Sequence, residues 1–425
     1  MTRARSIALA LTLAMGIVST AALLPANTAQ AAEAAGKITT KAVAEPLKKA
    51  QEAMKNKQWD TALTEIKKAQ AVEKKTPFEA YQIDEFLGYV LIQQKKFGEA
   101  APVFERMLNS GSVPADQVDD RTKTVAQLYF QVKEYKKSAE WAKKWLDKHP
   151  GDEAMSVLLG QSQYVMNDYK NAGQTMMNVS NAAEKAGRTP AENWLQIVLS
   201  SYFKLDSAES KPEYKDGIAG ALKKLVRYYP KPEYWENLLD IYRRKGASND
   251  SMNLGYYRLM NDVGTLKQAD DYMEYAQLAI DAGVPGEAQT IVEKGVQNGT
   301  LKSDDKTTQG RYDRLLAGAK KAATTDKASL PQLAKEADKA SQGQALVALG
   351  QAYLSYGMID EAITALQNGI KKGGVTDADQ AQISLGIAYL RKGQKDQARQ
   401  AFRAVKDESK WHDVAELWEI RTQQA

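Results

Sequence analysis

Apolar and small side chains recur along this chain at a fixed interval. Gly350 and Gly386 lie 36 residues apart, and each follows a leucine. Each glycine is followed at matching distances by a tyrosine, an alanine and a large apolar residue: Tyr353, Ala362 and Leu366 in one copy, Tyr389, Ala398 and Phe402 in the other. Apolar positions spaced three and four residues apart predict amphipathic helices, and an interval of this length predicts one helix pair per copy.

The same frame returns earlier in the chain, around Gly88, Gly160 and Ala276. A small residue at this point of the first helix lets the second helix approach closely, and a large apolar residue on the second helix fills the space between units. The second helices carry an alanine at the crossing, namely Ala100, Ala172, Ala288, Ala362 and Ala398. Glycines at the turns predict a backbone conformation that favours glycine: Gly283, Gly357 and Gly393.

Looser copies extend the array over most of the chain. They lie around Trp59 and Ala62, around Tyr135 and Ala139, over residues 194–202 and over residues 235–246. The pattern therefore predicts an all-α fold of about nine or ten helix-turn-helix units. A final amphipathic helix over residues 411–420 is expected to cap the stack.

This spacing resembles the tetratricopeptide repeat (TPR), a helix-turn-helix unit of about 34 residues. The resemblance implies a right-handed superhelix (an α-solenoid) with a concave groove lined by the first helices. Such grooves bind proteins, and the following side chains are expected on this surface: Gln82, Glu85, Tyr89, Gln161, Tyr164, Gln277, Gln351 and Leu354. Repeats that grip a C-terminal carboxylate use Lys and Asn there, and because the central positions here hold neither, we expect no such clamp.

The pattern divides the chain into six segments. Two stretches interrupt the period, and we expect a surface loop over residues 206–212 and a degenerate helical pair over residues 301–341. The segments are a signal peptide (1–31), a linker (32–42), N-terminal units (43–205), central units with a polar insertion (206–300), the degenerate segment (301–341) and a C-terminal pair with its capping helix (342–425).

The first 31 residues have the pattern of a secretory signal peptide. Arg3 and Arg5 precede an uncharged apolar run over residues 7–18, and small residues at Ala29 and Ala31 form a cleavage site. An uncleaved membrane anchor is the alternative, because the apolar character continues to Leu24. With cleavage near Ala31 we expect a periplasmic protein without an integral membrane segment.

Composition narrows the chemistry. Lys and Arg number 58 against 53 Asp and Glu, a net charge of +5 that is spread along the chain and does not predict nucleic-acid binding. The sequence has no Cys, and its only histidines, His149 and His412, lie on different repeats. We therefore expect no metal site, no cofactor, no thiol nucleophile and no histidine-based catalytic triad. An enzyme remains an alternative only for residues 301–342, where no repeat is assigned.

Four strings resemble a group of bacterial periplasmic TPR proteins described as components of TonB systems. They are AVAEPLKKAQEAMKNKQWDTAL (42–63), YYPKPEYWENLL (228–239), DDYMEYAQLAIDAGVPGEA (270–288) and LGIAYLRKGQ (385–394). The resemblance implies a non-catalytic scaffold that binds protein partners in the cell envelope and assists TonB-dependent uptake. An adaptor for cell-wall or outer-membrane protein assembly is the alternative.

Overall fold

The structure is a computed structural model that describes residues 38–245 and 249–424. These residues form twenty α-helices and no β-strand, which confirms the all-α class. The predicted signal peptide, its predicted cleavage site and Gly246 lie outside the described residues. The helices are α1 (Lys41–Lys55), α2 (Trp59–Gln70), α3 (Pro77–Gln93), α4 (Phe97–Asn109), α5 (Val118–Gln131), α6 (Tyr135–Leu146), α7 (Glu153–Val165), α8 (Tyr169–Lys185), α9 (Glu192–Ala208), α10 (Pro212–Tyr228), α11 (Pro232–Lys245), α12 (Asp250–Asp262), α13 (Ala269–Asp281), α14 (Pro285–Gln297), α15 (Lys306–Lys339), α16 (Gln344–Ser355), α17 (Ile359–Lys372), α18 (Ala378–Arg391), α19 (Lys395–Arg403) and α20 (His412–Thr422).

The chain divides into two compact units between Ala221 and Leu222. Unit 1 contains α1 to α9 and most of α10, and unit 2 contains the end of α10 and α11 to α20. This division falls inside the central segment, 206–300, that the sequence treats as one. The predicted segment boundaries otherwise stay predictions.

Consecutive helices pair, and first helices of neighbouring pairs also touch, as α5 touches α7 and α16 touches α18. Nine successive pairs run from α1–α2 to α18–α19, with only α15 and α20 outside the pairing. This arrangement confirms the predicted tandem array of helix-turn-helix units.

The glycines of the first helices lie where the second helix comes closest. A methyl group added at Gly386 would stand 2.5 Å from the Phe402 ring, and one added at Gly350 would stand 2.7 Å from Leu366. Gly88 meets Phe104 and Gly160 meets Met176 in the same way. The predicted pairing of a small residue with a large apolar one is therefore confirmed in both units.

Seven of the turns within the pairs contain a left-handed residue. Gly283, Gly357 and Gly393 have φ values of 72°, 72° and 82°, as the sequence predicts. In unit 1 this conformation is adopted by residues with side chains, which the sequence pattern did not indicate: Lys57, Lys95, Lys133 and Asn167.

Two sequence expectations are wrong. The segment 206–212 is not a loop, because α9 continues to Ala208 and α10 begins at Pro212, leaving only three residues between them. The segment 301–341 is not a helical pair, because α15 is one continuous helix of 34 residues. Its Ala- and Lys-rich composition has high helix propensity, and its glycines do not form a turn that ends the helix.

The start of unit 1 is held by one carboxylate. Glu79 closes a capping box with Thr76 at the beginning of α3 and also accepts hydrogen bonds from the backbone N–H groups of Thr39 and Thr40, at 2.9 and 2.8 Å. These bonds to the ionised form lower the pKa of Glu79 to about 2. The carboxylate therefore fixes the entry into α1 while it caps α3.

The C-terminal helix α20 contacts both ends of unit 2. Its Trp418 is buried and stacks on Phe402 of α19 with ring centroids 6.0 Å apart. On its other side, Val414 packs beside Gly255 of α12. Polar contacts lie along the same surface of α20, which we call the α20 seam: Lys223–Glu416 at 2.6 Å, Lys245–Asp413 at 2.7 Å, Arg421–Asp262 at 2.6 Å and Gln424 Nε2 to the carbonyl of Val226 at 2.7 Å. The helix that was expected to cap an open stack therefore joins the last helices of unit 2 to the first helices of unit 2.

We expect Gly386→Ala to destabilise unit 2 by about 1–3 kcal/mol, because the added methyl group overpacks the contact with Phe402. Gly318→Ala is the matched control, since Gly318 lies in α15 with no atom within 4 Å of an added Cβ. The control should gain about 0.5–1 kcal/mol, the usual advantage of Ala over Gly inside a helix. Urea denaturation followed by circular dichroism measures both, and equal effects of the two changes would contradict the close contact at Gly386.

Deleting residues 412–425 should accelerate amide hydrogen exchange in α11 and α12 as well as in α18 and α19. The reason is that α20 covers both groups of helices, whereas a cap on an open stack would protect only α18 and α19. Exchange followed by mass spectrometry distinguishes these results, and α13–α14 provide an internal reference. Unchanged exchange in α11 and α12 would show that the α20 seam contributes nothing to their stability.

Candidate binding surface

Polar contacts connect the first helices of consecutive pairs. Glu85 of α3 pairs with Arg121 of α5 at 3.0 Å, and the Tyr164 hydroxyl of α7 lies 2.7 Å from Ser200 Oγ of α9. In unit 2, Gln351 of α16 donates to Ser384 Oγ of α18 at 3.2 Å. We call the surfaces formed by these helices the first-helix wall, which comprises α3, α5, α7 and α9 in unit 1 and α13, α16 and α18 in unit 2. The sequence analysis predicts that a partner binds on this wall.

A buried ion pair forms the most polar point of the wall in unit 1. The side chains of Glu85 and Arg121 are 9% and 8% exposed, so both charges are largely removed from water. Gln82 donates to the second oxygen of Glu85 at 3.2 Å, and the Arg121 guanidinium lies over the Phe104 ring at 5.6 Å. Burial raises the pKa of Glu85, and the positive charge of Arg121 only partly opposes that rise. This pair is therefore a structural link between α3 and α5.

Two tyrosines give the wall of unit 1 its aromatic character. Both are half-buried, so part of each ring faces solvent. Tyr89 packs edge-on against Trp59 with centroids 6.0 Å apart, and Tyr164 packs against Tyr169 at 5.5 Å. Tyrosine offers a rigid apolar surface together with a hydroxyl, which suits contact with a protein partner.

The remaining candidates differ in accessibility. Gln277 is exposed and donates to Asp281 within its own helix at 2.9 Å, and Gln351 is half-buried. Gln161 and Leu354 are only 4% and 6% exposed, so they contribute to packing and offer little area to a partner. The accessible members of the predicted set are Gln82, Tyr89, Tyr164, Gln277 and Gln351. Their role in binding stays a prediction.

Unit 2 contains a polar cluster that the sequence reading missed. The Glu287 carboxylate of α14 accepts two hydrogen bonds from Arg258 Nε and Nη2 of α12, at 2.9 and 2.7 Å, and one from the Tyr275 hydroxyl at 2.6 Å. Burial raises the pKa of Glu287, but the charge of Arg258 and these hydrogen bonds outweigh it and hold the pKa below its ordinary value. Burial also raises the pKa of Tyr275.

The signal for this cluster was present but ambiguous. Glu287 occupies the same repeat position as Glu99 and Glu361, which are exposed. The difference is Arg258, 29 positions earlier, which reaches Glu287 only after α12 and α14 have packed. The cluster is fully paired and therefore fixes α12 to α14.

Neither a metal-binding cluster nor a membrane-spanning helix is found in the part of the chain that the structure describes. No three His, Asp or Glu side chains in residues 38–245 and 249–424 lie close enough to hold a metal ion together. Within the same residues, every helix is too short or too polar to cross a bilayer.

Residues 47–116 and 347–410 match the family described as "Tetratricopeptide repeat". These segments, which include α3–α4 in unit 1 and α16–α19 in unit 2, therefore contain tetratricopeptide repeats, as the sequence predicted. Proteins built from such repeats are in general non-catalytic scaffolds for protein–protein interaction. No curated protein matches the sequence.

Three solved structures show a distant likeness. A tetratricopeptide repeat protein from Parabacteroides merdae is 12% identical, with 91% of this chain and 100% of that chain covered and a TM-score of 0.28. The P58(IPK) TPR domain is 13% identical, with 90% and 97% covered and a TM-score of 0.23. MamA 41-end from Desulfovibrio magneticus RS-1 is 14% identical, with 44% and 96% covered and a TM-score of 0.28. Because these TM-scores are low, the assignment of repeats depends on the family match and on the helix pairing.

Arg121→Ala should destabilise unit 1 by about 3–5 kcal/mol, because it leaves the Glu85 carboxylate buried without its partner. The double variant Arg121→Ala/Glu85→Ala should recover part of this loss, since it removes the unpaired charge as well. Denaturant titrations of both variants measure the difference. A single variant no less stable than the double variant would show that the charges are solvated and that the link between α3 and α5 is weak.

Proposed function

We propose that this protein is a non-catalytic scaffold of the bacterial periplasm that binds a protein partner along its first-helix wall. The observation that carries the proposal is the wall itself: accessible aromatic or amide side chains lie on α3 and α7 in unit 1 and on α13 and α16 in unit 2. Such a surface fits an extended polypeptide, because aromatic faces and amide groups can contact both its side chains and its backbone.

We further propose that the partner belongs to TonB-dependent uptake across the outer membrane. Support for this step comes from the four strings quoted above and from the signal-peptide pattern of residues 1–31. An adaptor for cell-wall or outer-membrane assembly would use the same wall, and only the identity of the partner separates the two functions.

Photo-crosslinking in intact cells tests both parts. A photoreactive amino acid at position 164 or 351 should capture a subunit of the TonB system or a TonB-dependent receptor, identified by mass spectrometry. Position 135 is the control, because Tyr135 is also half-buried but lies on α6, a second helix. Equal capture from positions 135 and 164 would contradict binding along the wall, and cell-wall or outer-membrane assembly proteins as the captured species would replace the TonB assignment.

Tyr164→Ala should weaken binding of the captured partner by about tenfold, a typical cost of removing an aromatic contact at an interface. The reason is that the half-exposed ring of Tyr164 belongs to the wall. Tyr135→Ala should leave the affinity unchanged. Both are measured by calorimetry, with thermal melting as a check of folding, and an equal loss of affinity in the two variants would place the contact away from the wall.

A further inference from the structure

Helix α15 is the least covered helix of unit 2 for its length. Only four of its 34 residues are buried: Ala319, Ala323, Leu330 and Ala337. This narrow face packs on α14 and α16 and also touches α13, whereas the first helices of the array are covered by the second helix of their own pair as well. Because α15 stands outside the pairing, one whole side of it has no neighbour among the described residues.

Exposed residues follow one another at a regular spacing along the uncovered side of α15. Starting at Arg311, steps of three and four residues alternate along the helix, and every residue reached is exposed. We call this series the outer stripe; it comprises Arg311, Arg314, Gly318, Lys321, Thr325, Ala328, Gln332, Lys335 and Lys339. At 100° per residue the outer stripe lies opposite the buried face. Steps of three and four follow one face of an α-helix, so the nine side chains form a line along α15 on which a second helix can lie.

The outer stripe carries one sign of charge. Five of its nine residues are basic and none is acidic. The structure shows no ion pair for these five within the described part of unit 2, whereas Lys320, on another side of the helix, pairs with Glu293 at 3.4 Å. Two carboxylates border the stripe: Glu336, which is engaged by Gln332 at 2.7 Å, and Asp338, three residues after Lys335. The stripe therefore presents unpaired positive charge.

The basic residues are separated by a small-residue section. This section consists of Thr325 and Ala328, which lie between Lys321 and Lys335 and project little from the helix. Gly318, between Arg314 and Lys321, is also open, because an added Cβ there would meet no atom within 4 Å. A neighbouring helix can approach closely at this section while its own charged side chains meet Arg314 and Lys321 on one side and Lys335 on the other.

We propose that the outer stripe docks an acidic α-helix of a partner protein, laid lengthwise along α15. The charge of the stripe selects acidic side chains, and its straight course along α15 together with the small central section favours a helix over an extended strand. An anionic membrane fits less well, because helices that lie on bilayers expose large apolar residues beside their basic ones. On α15 the one large apolar side chain that is exposed is Leu333, which lies away from the stripe.

A pair of synthetic peptides tests the proposal on the full-length protein. One is a labelled helix of about 28 residues, four heptads long, with Glu at every position facing the stripe. The other has the same composition in scrambled order, so its charges no longer share one face. By fluorescence anisotropy at low salt, the patterned peptide should bind about tenfold more tightly than the scrambled one.

Two variants locate the contact. The triple change Arg311→Glu, Arg314→Glu and Lys321→Glu should weaken binding of the patterned peptide by about tenfold or more. The matched control is Lys48→Glu, Lys49→Glu and Lys55→Glu on α1, which removes the same charge from exposed lysines elsewhere and should leave binding nearly unchanged. Thr325→Trp keeps the charge but fills the small-residue section, and it should also weaken binding.

Three results would overturn the proposal. Equal affinity for both peptides would show that the stripe attracts any polyanion and selects no helix. Equal loss in the stripe variant and the α1 control would place the attraction in the net charge of the chain. Binding to vesicles of phosphatidylcholine and phosphatidylglycerol that is lost in the stripe variant, with neither peptide bound, would identify a membrane surface instead. The wall variant Tyr164→Ala should change none of these measurements, so failure here is distinguishable from failure of the proposed function.

Discussion

The arrangement of both units depends on a close contact within the helix pairs. A small residue on the first helix lies against a large apolar side chain on the second. At Gly386 and Phe402 the two helices are so near that even a methyl group has no room. Because the same contact recurs at Gly88, Gly160 and Gly350, it sets one spacing and one crossing for the helices of these pairs. The positions of the first helices follow from it, and so do the contacts between Tyr164 and Ser200 or between Gln351 and Ser384.

The sequence predicts those parts of the structure that a local rule determines. The spacing along the sequence identifies small residues at helix crossings and glycines at turns. Gly350 and Gly357 were assigned correctly in this way. Contacts between distant segments have no such signature: the pairing of Arg258 with Glu287, and that of Arg421 with Asp262, form only once the helices have packed. The left-handed conformation of the lysines at 57, 95 and 133 was not predicted for a related reason. Packing of the flanking helices imposes a conformation that lysine itself disfavours.

The sequence predicted on which helices the candidate residues lie, whereas the accessibility of each residue follows only from the structure. The repeat frame gives the helix on which each candidate lies but cannot say how deeply the neighbouring first helix covers it. Glu85, Gln161 and Leu354 are buried for this reason, while Tyr89 and Gln277 keep access to solvent. The accessible candidate residues of the wall are aromatic or uncharged, whereas the outer stripe is basic, so the two surfaces call for different partners.

The α20 seam changes the topology of unit 2. An open array of repeats needs a polar cap at each end, because its terminal units expose an apolar face. Here a single helix serves both ends, and the hydrogen bond from Gln424 to the carbonyl of Val226 brings the two termini of the unit together. Unit 2 therefore has the geometry of a cyclic chain that is cut at one point. A short linker between its termini, with new ends opened at a turn such as that at Gly357, would give a circular permutant with the same packing, and the unit as found could be carried within a loop of another protein.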